Sequence, residues 1–173
     1  MEIVEKEKYV GDILTGNGKH TKNIDARRSK GMGIISEIIS TLDGLCLGPH
    51  HFTTALMMRH TMLLKVLLFN SEAWLRITKK DLEKLEGIDR VFMRRIFQVP
   101  NSVPSSFLYL ETGCVPIRYV MKTKRIMFLH HILTREENAL ISQAFWAQVN
   151  QPVKGDWCIV VREDLDAIGF GHL

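Results

Sequence analysis

Five cations crowd one stretch near the start of the chain: Lys19, Lys22, Arg27, Arg28 and Lys30, with Asp25 the single opposing charge and His20 beside them. A second row, Arg118, Lys122 and Arg125, falls at i, i+4 and i+7, so a helix containing it carries all three on one stripe. Arg90 and Arg94 make a shorter stripe. Rows of Lys and Arg hold phosphate backbones by neutralising charge and releasing condensed counterions. The same rows also serve as the wetted side of an amphipathic helix. Beyond Lys154 the sign reverses: Lys154 and Arg162 stand against Asp156, Glu163, Asp164 and Asp166. Tyr9, Trp74, Tyr109 and Tyr119 offer faces on which bases or sugars stack, although Trp74 and Tyr109 equally suit a core or a loop anchor.

Other chemistries find little support. His50-His51 and His130-His131 are adjacent pairs, and neighbours on a helix point about 100° apart, which makes them poor chelators. Glu136-Glu137 and Glu163-Asp164 read as solvated charges at helix ends. There is no Gly-rich phosphate loop, His-Glu-x-x-His or Gly-x-Ser-x-Gly. Cys46, Cys114 and Cys158 are scattered and odd in number, which suits buried thiols in a reducing compartment better than a disulfide framework or a zinc site.

The elements that must position the basic rows follow from periodicity. The composition, 46% hydrophobic and 24% charged over 173 residues with 12 Gly and 5 Pro, is that of a soluble globular domain and excludes collagen or a low-complexity tail. A net charge of +4 permits a nucleic-acid partner without requiring one. The first residues have no targeting character, and Arg59, His60 and Lys65 interrupt the apolar stretch from Phe52 to Phe69, so a buried helix is expected there and no membrane partner. The expected location is intracellular, in cytoplasm, nucleus or both.

Tyr9, Val10, Ile13 and Leu14 suit a strand, with Gly16-Asn-Gly18 as a turn and residues 2–5 the only nearby candidate partner. A helix follows on Ile24, Ile35, Ile38, Ile39 and Leu42, weakened by Gly31 and Gly33 unless a neighbour approaches closely, and ending at Gly44. Pro49 opens a second helix with Phe52, Leu56, Leu63 and Leu67 on one side. Thr78 and Asp81 have capping-box form ahead of the stripe Leu82, Leu85, Ile88, Phe92 and Ile96, which Pro100 stops. A short helix runs from Pro104 to Gly113, and Pro116 starts another bearing Ile117, Val120, Met121, Phe128 and His131. Thr134 to Glu137 repeats the capping-box pattern before Leu140, Ile141, Ala144, Phe145 and Val149, and Asp156 caps a last helix stopped by Gly169. The fold class is mainly α, a helical bundle with a short N-terminal β-hairpin or strand.

In this order the segments resemble the C-terminal part of the reverse transcriptase of non-LTR retrotransposons. Lys8-Tyr-Val-Gly-Asp-Ile-Leu14 is similar to the primer-grip hairpin, and Asn23-Ile with Arg27, Lys30 and Gly31 to the first thumb helix. Asn70-x-Glu72-Ala-Trp74, Leu85-Glu-x-Ile-Asp-Arg90, Leu108-Tyr-Leu-Glu-Thr-Gly113, Pro116-Ile-Arg118, Arg125-Ile-x-Phe-Leu-His130 and Lys154-Gly-Asp-Trp157 continue the match. The resemblance implies the end of a palm over 1–20, a thumb-like helical domain over 21–150, and a C-terminal helix and tail over 151–173. It implies an RNA or DNA primer–template duplex as partner. Tyr9 and Gly11 would place the primer end, while Lys22, Arg27, Arg28 and Lys30, with Arg118, Lys122 and Arg125, would contact phosphates. The family's enzyme uses Mg²⁺ held by an aromatic-x-Asp-Asp turn and a further palm Asp. This chain has no Asp-Asp, and that centre would lie before residue 1, in palm and fingers domains missing here. The chain is therefore expected to bind no cofactor and to be no enzyme on its own. The competing expectations are a helical protein-interaction module and a partial retroelement product without independent function.

Overall fold

The computed structural model describes residues 6–9, 12–15, 20–45, 48–75 and 77–170. The chain is mainly α, a helical bundle with one two-stranded hairpin at its start. It divides into two compact units, one of residues 1–69 and 78–117, the other of residues 70–77 and 118–173.

In the first unit, β1 (Lys6–Tyr9) pairs antiparallel with β2 (Asp12–Thr15), from Lys6 opposite Thr15 to Tyr9 opposite Asp12. The run expected as one strand is thus folded on itself. A strand must fill its backbone hydrogen bonds, and the second half of the same run supplies them. The expected partner at 2–5 and the turn at 16–18 lie outside the described residues.

Helix α1 (Thr21–Gly44) buries Ile24, Ile35, Ile38 and Leu42, and it has neither a capping side chain nor a first-turn acid. Packing sustains it. Gly31 lies close against neighbouring side chains: a Cβ there would stand 2.9 Å from Leu67 Cδ2 and 3.1 Å from Ile88 Cγ2. Gly33 faces open space.

The single helix expected after Pro49 is interrupted. A 3₁₀ turn (Gly48–His50) leads into α2 (His51–Met58), then a π-helical segment (Arg59–Leu63), then α3 (Leu64–Leu67). In the π turn the Leu64 N–H donates to the Arg59 carbonyl, five residues back, which shifts the helical phase. Ala55, Arg59, Leu63 and Leu67 face inward, while Phe52, expected on the apolar side, is half-exposed and stacks on Phe97.

Helix α4 (Lys79–Phe97) follows its sequence punctuation. The Thr78 hydroxyl accepts from the Asp81 N–H at 3.1 Å, and Leu85, Ile88, Phe92 and Ile96 are buried. Asp81 also accepts from the Thr78 and Thr21 hydroxyls at 2.9 and 2.8 Å, tying the starts of α1 and α4 together. Helix α5 (Ser105–Thr112) closes on Gly113, whose φ of +63° suits glycine.

The second unit holds residues 70–77, most of α6 (Ile117–Leu133), α7 (Leu140–Asn150) and α8 (Trp157–Asp166). Its core gathers Ile132, Trp157 and Val161 with Phe128, Leu129, Ile141, Phe145 and Leu165. Trp157 Nε1 donates to the Glu72 carbonyl at 2.7 Å. The expected division at 150 falls between α7 and α8, both within this unit. The capping box expected at Thr134 does not form: its hydroxyl donates back to the His130 carbonyl, closing α6, and α7 starts after Ala139 without a side-chain cap. Asp156 stands at the start of α8, but its carboxylate accepts from the Val153 N–H and so fixes the preceding loop. Leu140, expected as core, is 81% exposed.

Candidate nucleic-acid interface

The buried stripe of α1 decides which of its cations meet solvent. At about 100° per residue, Lys22 lies opposite that stripe, with Lys30 about 80° round from Lys22 on one side and Arg28 about 120° round from it on the other. All three are exposed. Lys22 and Lys30 are separated by about 12 Å along the axis, at about 1.5 Å per residue. Among the described residues no carboxylate pairs with Lys22, Arg28 or Lys30.

Arg27 is placed otherwise. It is 4% exposed, and its guanidinium meets Asp12 Oδ1 at 2.5 Å, the Val66 carbonyl at 2.7 Å and Asn23 Oδ1 at 3.2 Å. Asn23 Nδ2 donates to the same Asp12 oxygen at 2.7 Å. The guanidinium carbon lies 5.8 Å from the centre of the Phe69 ring, close enough for cation–π attraction. These contacts hold β2 against α1 and α3. The phase of the sequence held the clue: position 27 stands three residues after Ile24 and four before Gly31, on the buried side. Gly11 and the side chain of Tyr9 lie outside the described residues.

The row on α6 belongs to the second unit and divides in the same way. Arg118 is exposed. Arg125 is 7% exposed, its Nε meeting Asp164 Oδ2 at 2.6 Å, and Lys122 Nζ lies 3.4 Å from Asp164 Oδ1. Asp164, expected to be solvated, is 5% exposed because it ties α8 to α6.

A groove of about 510 Å³ runs between α1 and α4, lined by Arg28, Met32, Lys80, Glu83, Lys84 and Gly87 among others. Lys84 is engaged by Asp25 at 2.7 Å and Asp81 at 3.2 Å, and Glu83 by Arg90. Arg28 and Lys80 remain without a carboxylate partner among the described residues. Lys79 and Lys80 occupy the first turn of α4, where the helix dipole opposes positive charge and favours an anion. Sequence reasoning missed this groove, because only the packing of α1 against α4 brings Arg28 and Lys80 together.

It also missed the most buried ion pair among the described residues. Arg59 donates through Nε and Nη2 to the two Asp89 oxygens, each at 2.7 Å, and through Nη2 to the Val115 carbonyl at 3.2 Å. The Tyr109 hydroxyl donates to Asp89 Oδ2 at 2.9 Å. Burial opposes the Arg59 charge, but the hydrogen bonds and charge of Asp89 outweigh it and hold its pKa above the ordinary value. Burial, then the Asp89 charge, raises the pKa of the Tyr109 phenol. The spacing of Ala55, Arg59 and Leu63 at four-residue steps was the available signal for an inward arginine.

Among the described residues no group of three or more His, Cys, Asp or Glu could hold a metal ion. No described helix is long and apolar enough to cross a membrane. No family model, curated protein or solved structure matches the chain.

Proposed function

We propose that this chain binds the phosphate backbone of a nucleic-acid duplex through α1 and the α1–α4 groove, in the manner of a polymerase thumb and without catalysing a reaction itself. The observation that carries this reading is the sorting of charge on α1: Arg27 is consumed by Asp12, while Lys22, Arg28 and Lys30 face solvent without a partnering carboxylate among the described residues. The distance of about 12 Å from Lys22 to Lys30 along α1 is long enough to reach more than one phosphate of a strand. Cations on both flanks of one helix suit a rod lying along a groove with a backbone on each side. Lys80 extends the row beside Arg28. Such contacts fix position and carry no base information, so binding is insensitive to sequence. The resemblance to a retrotransposon thumb supports the same reading, and an intracellular site of action goes with it. In this reading Lys22, Arg28 and Lys30 contact phosphates, and Arg27 positions the hairpin that carries Tyr9.

The test is a salt series. Three phosphate contacts give a log–log slope of affinity against salt of about −2.7, at about −0.9 per contact. The variant Lys22→Ala/Arg28→Ala/Lys30→Ala should flatten that slope while keeping its circular dichroism spectrum. Lys154→Ala, exposed in the second unit, should leave it unchanged. Absence of salt-dependent binding by the wild type at low ionic strength refutes the proposal and favours the interaction-module reading.

A further inference from the structure

The second unit contains a cavity of about 400 Å³ that the nucleic-acid reading does not use. Rows on three helices wall it: Leu129 and Leu133 at i, i+4 on α6, Phe145 and Trp146 on α7, and Cys158 and Arg162 at i, i+4 on α8. Leu133 and Trp146 are 53% and 47% exposed, so large apolar side chains border the space without closing it. The volume lies in the range of small-molecule sites, about 300–1,000 Å³. Its lining is apolar except for Arg162, the single charged side chain in the wall. Arg162 is exposed and has no ion-pair partner among the described residues.

We infer that this cavity binds a free amphipathic carboxylate, a medium-chain aliphatic acid. The tail lies against Leu129, Leu133 and Phe145, where burying each methylene is favourable by the ordinary hydrophobic effect. The head group pairs with Arg162, whose planar fork matches a carboxylate through two parallel hydrogen bonds. One guanidinium balances one negative charge. Exposed Asp166 stands at i+4 from Arg162 on the same helix and disfavours a dianionic phosphate head in its place.

Decanoate titrated into the full chain is the test, read by the fluorescence of Trp146 in the wall, with Trp146→Phe identifying its share of the signal. Saturable binding below the micellar range is expected, with decanol binding about tenfold more weakly, since about 1.4 kcal/mol corresponds to a factor of ten. Arg162→Ala should abolish that preference and leave decanol affinity unchanged. Decanoate should also slow alkylation of Cys158, followed by mass spectrometry, a readout that needs no variant to fold. No saturable response, equal affinity for decanoate and decanol, a preference surviving in Arg162→Ala, or unprotected Cys158 overturns the inference. So does a concentration-dependent dimer that Leu133→Asp abolishes and decanoate leaves untouched, which assigns the cavity to a second copy of the chain.

Discussion

Two glycines two residues apart on α1 should respond to the same substitution in opposite directions. Ala in place of Gly in a helix interior is worth about 0.5–1 kcal/mol through backbone entropy alone. Gly33 faces open space, so Gly33→Ala should gain that amount. At Gly31 the same gain is opposed by overpacking. The new methyl would stand 2.9 Å from Leu67 Cδ2 and 3.1 Å from Ile88 Cγ2, inside the ordinary contact distance. Leu67 is wholly buried and Ile88 is 3% exposed, so neither side chain can swing into solvent. Forcing a methyl into a packed core costs about 1–3 kcal/mol. Gly31→Ala should therefore be the less stable of the two variants by about 1–3 kcal/mol. Urea unfolding followed by far-UV circular dichroism, compared at constant m-value, measures the difference. Leu67→Ala makes room for the methyl, so it should cost less in the Gly31→Ala background than alone. Equal stability of the two alanine variants would refute the close approach of α1 to α3 and α4.

Asp89→Asn should destabilise the first unit by about 3–5 kcal/mol, because it leaves the Arg59 guanidinium buried without a counter-charge. The double variant Arg59→Met/Asp89→Leu should recover most of that loss in the same urea assay, and a double-variant loss equal to the sum of the two single losses would show that the pair is not coupled. The pH dependence of stability should show two losses on acidification. Burial lowers the His20 pKa below its ordinary 6.5, so the unfolded chain binds the proton first and stability falls as pH drops from 6.5 toward the folded value. Burial tends to raise the Asp81 pKa, but hydrogen bonds from Thr21, Thr78 and Lys84 outweigh it and hold it below 3.8. That contribution is present above 3.8 and disappears as pH falls through the folded value. Urea midpoints across a pH series check both, and His20→Gln should remove the first loss alone.

What the sequence discloses about the fold is what is encoded locally. Helices α4 and α5 are bracketed by Thr78, Pro100, Pro104 and Gly113, residues that act through their own backbone and near neighbours. The same logic misleads at Thr134, whose hydroxyl has two possible uses, capping the next helix or closing the last one, and takes the second. The π turn at Arg59 and the hairpin at Tyr9–Asp12 depend on partners. An arginine inside an apolar stretch turns inward only if a carboxylate waits there, and Asp89 lies thirty residues away. In the candidate interface the surplus of charge is plain in the sequence. The choice between neighbouring Arg27 and Arg28 is not a matter of charge, since only the helical phase set by Ile24 and Gly31 separates them.

That separation recurs through the chain. The buried cations among the described residues are Arg27, Arg59 and Arg125, and each meets one aspartate: Asp12, Asp89 or Asp164. Arginine suits these places because its fixed fork loses little freedom on pairing and its charge survives burial. Such pairs add little net stability over an apolar contact, since desolvation offsets the attraction, but breaking one leaves an isolated buried charge. Their effect is to fix which segments meet, β2 with α1, the π turn with α4, and α6 with α8. Each pair is neutral as a unit, so the three together contribute nothing to the net charge of +4, which belongs to the remaining residues. In the proposed reading, folding and phosphate binding therefore draw on different cations. Loss of Lys22, Arg28 or Lys30 should weaken binding in a salt-dependent way with the fold intact, whereas loss of Arg27 should first free the hairpin from α1.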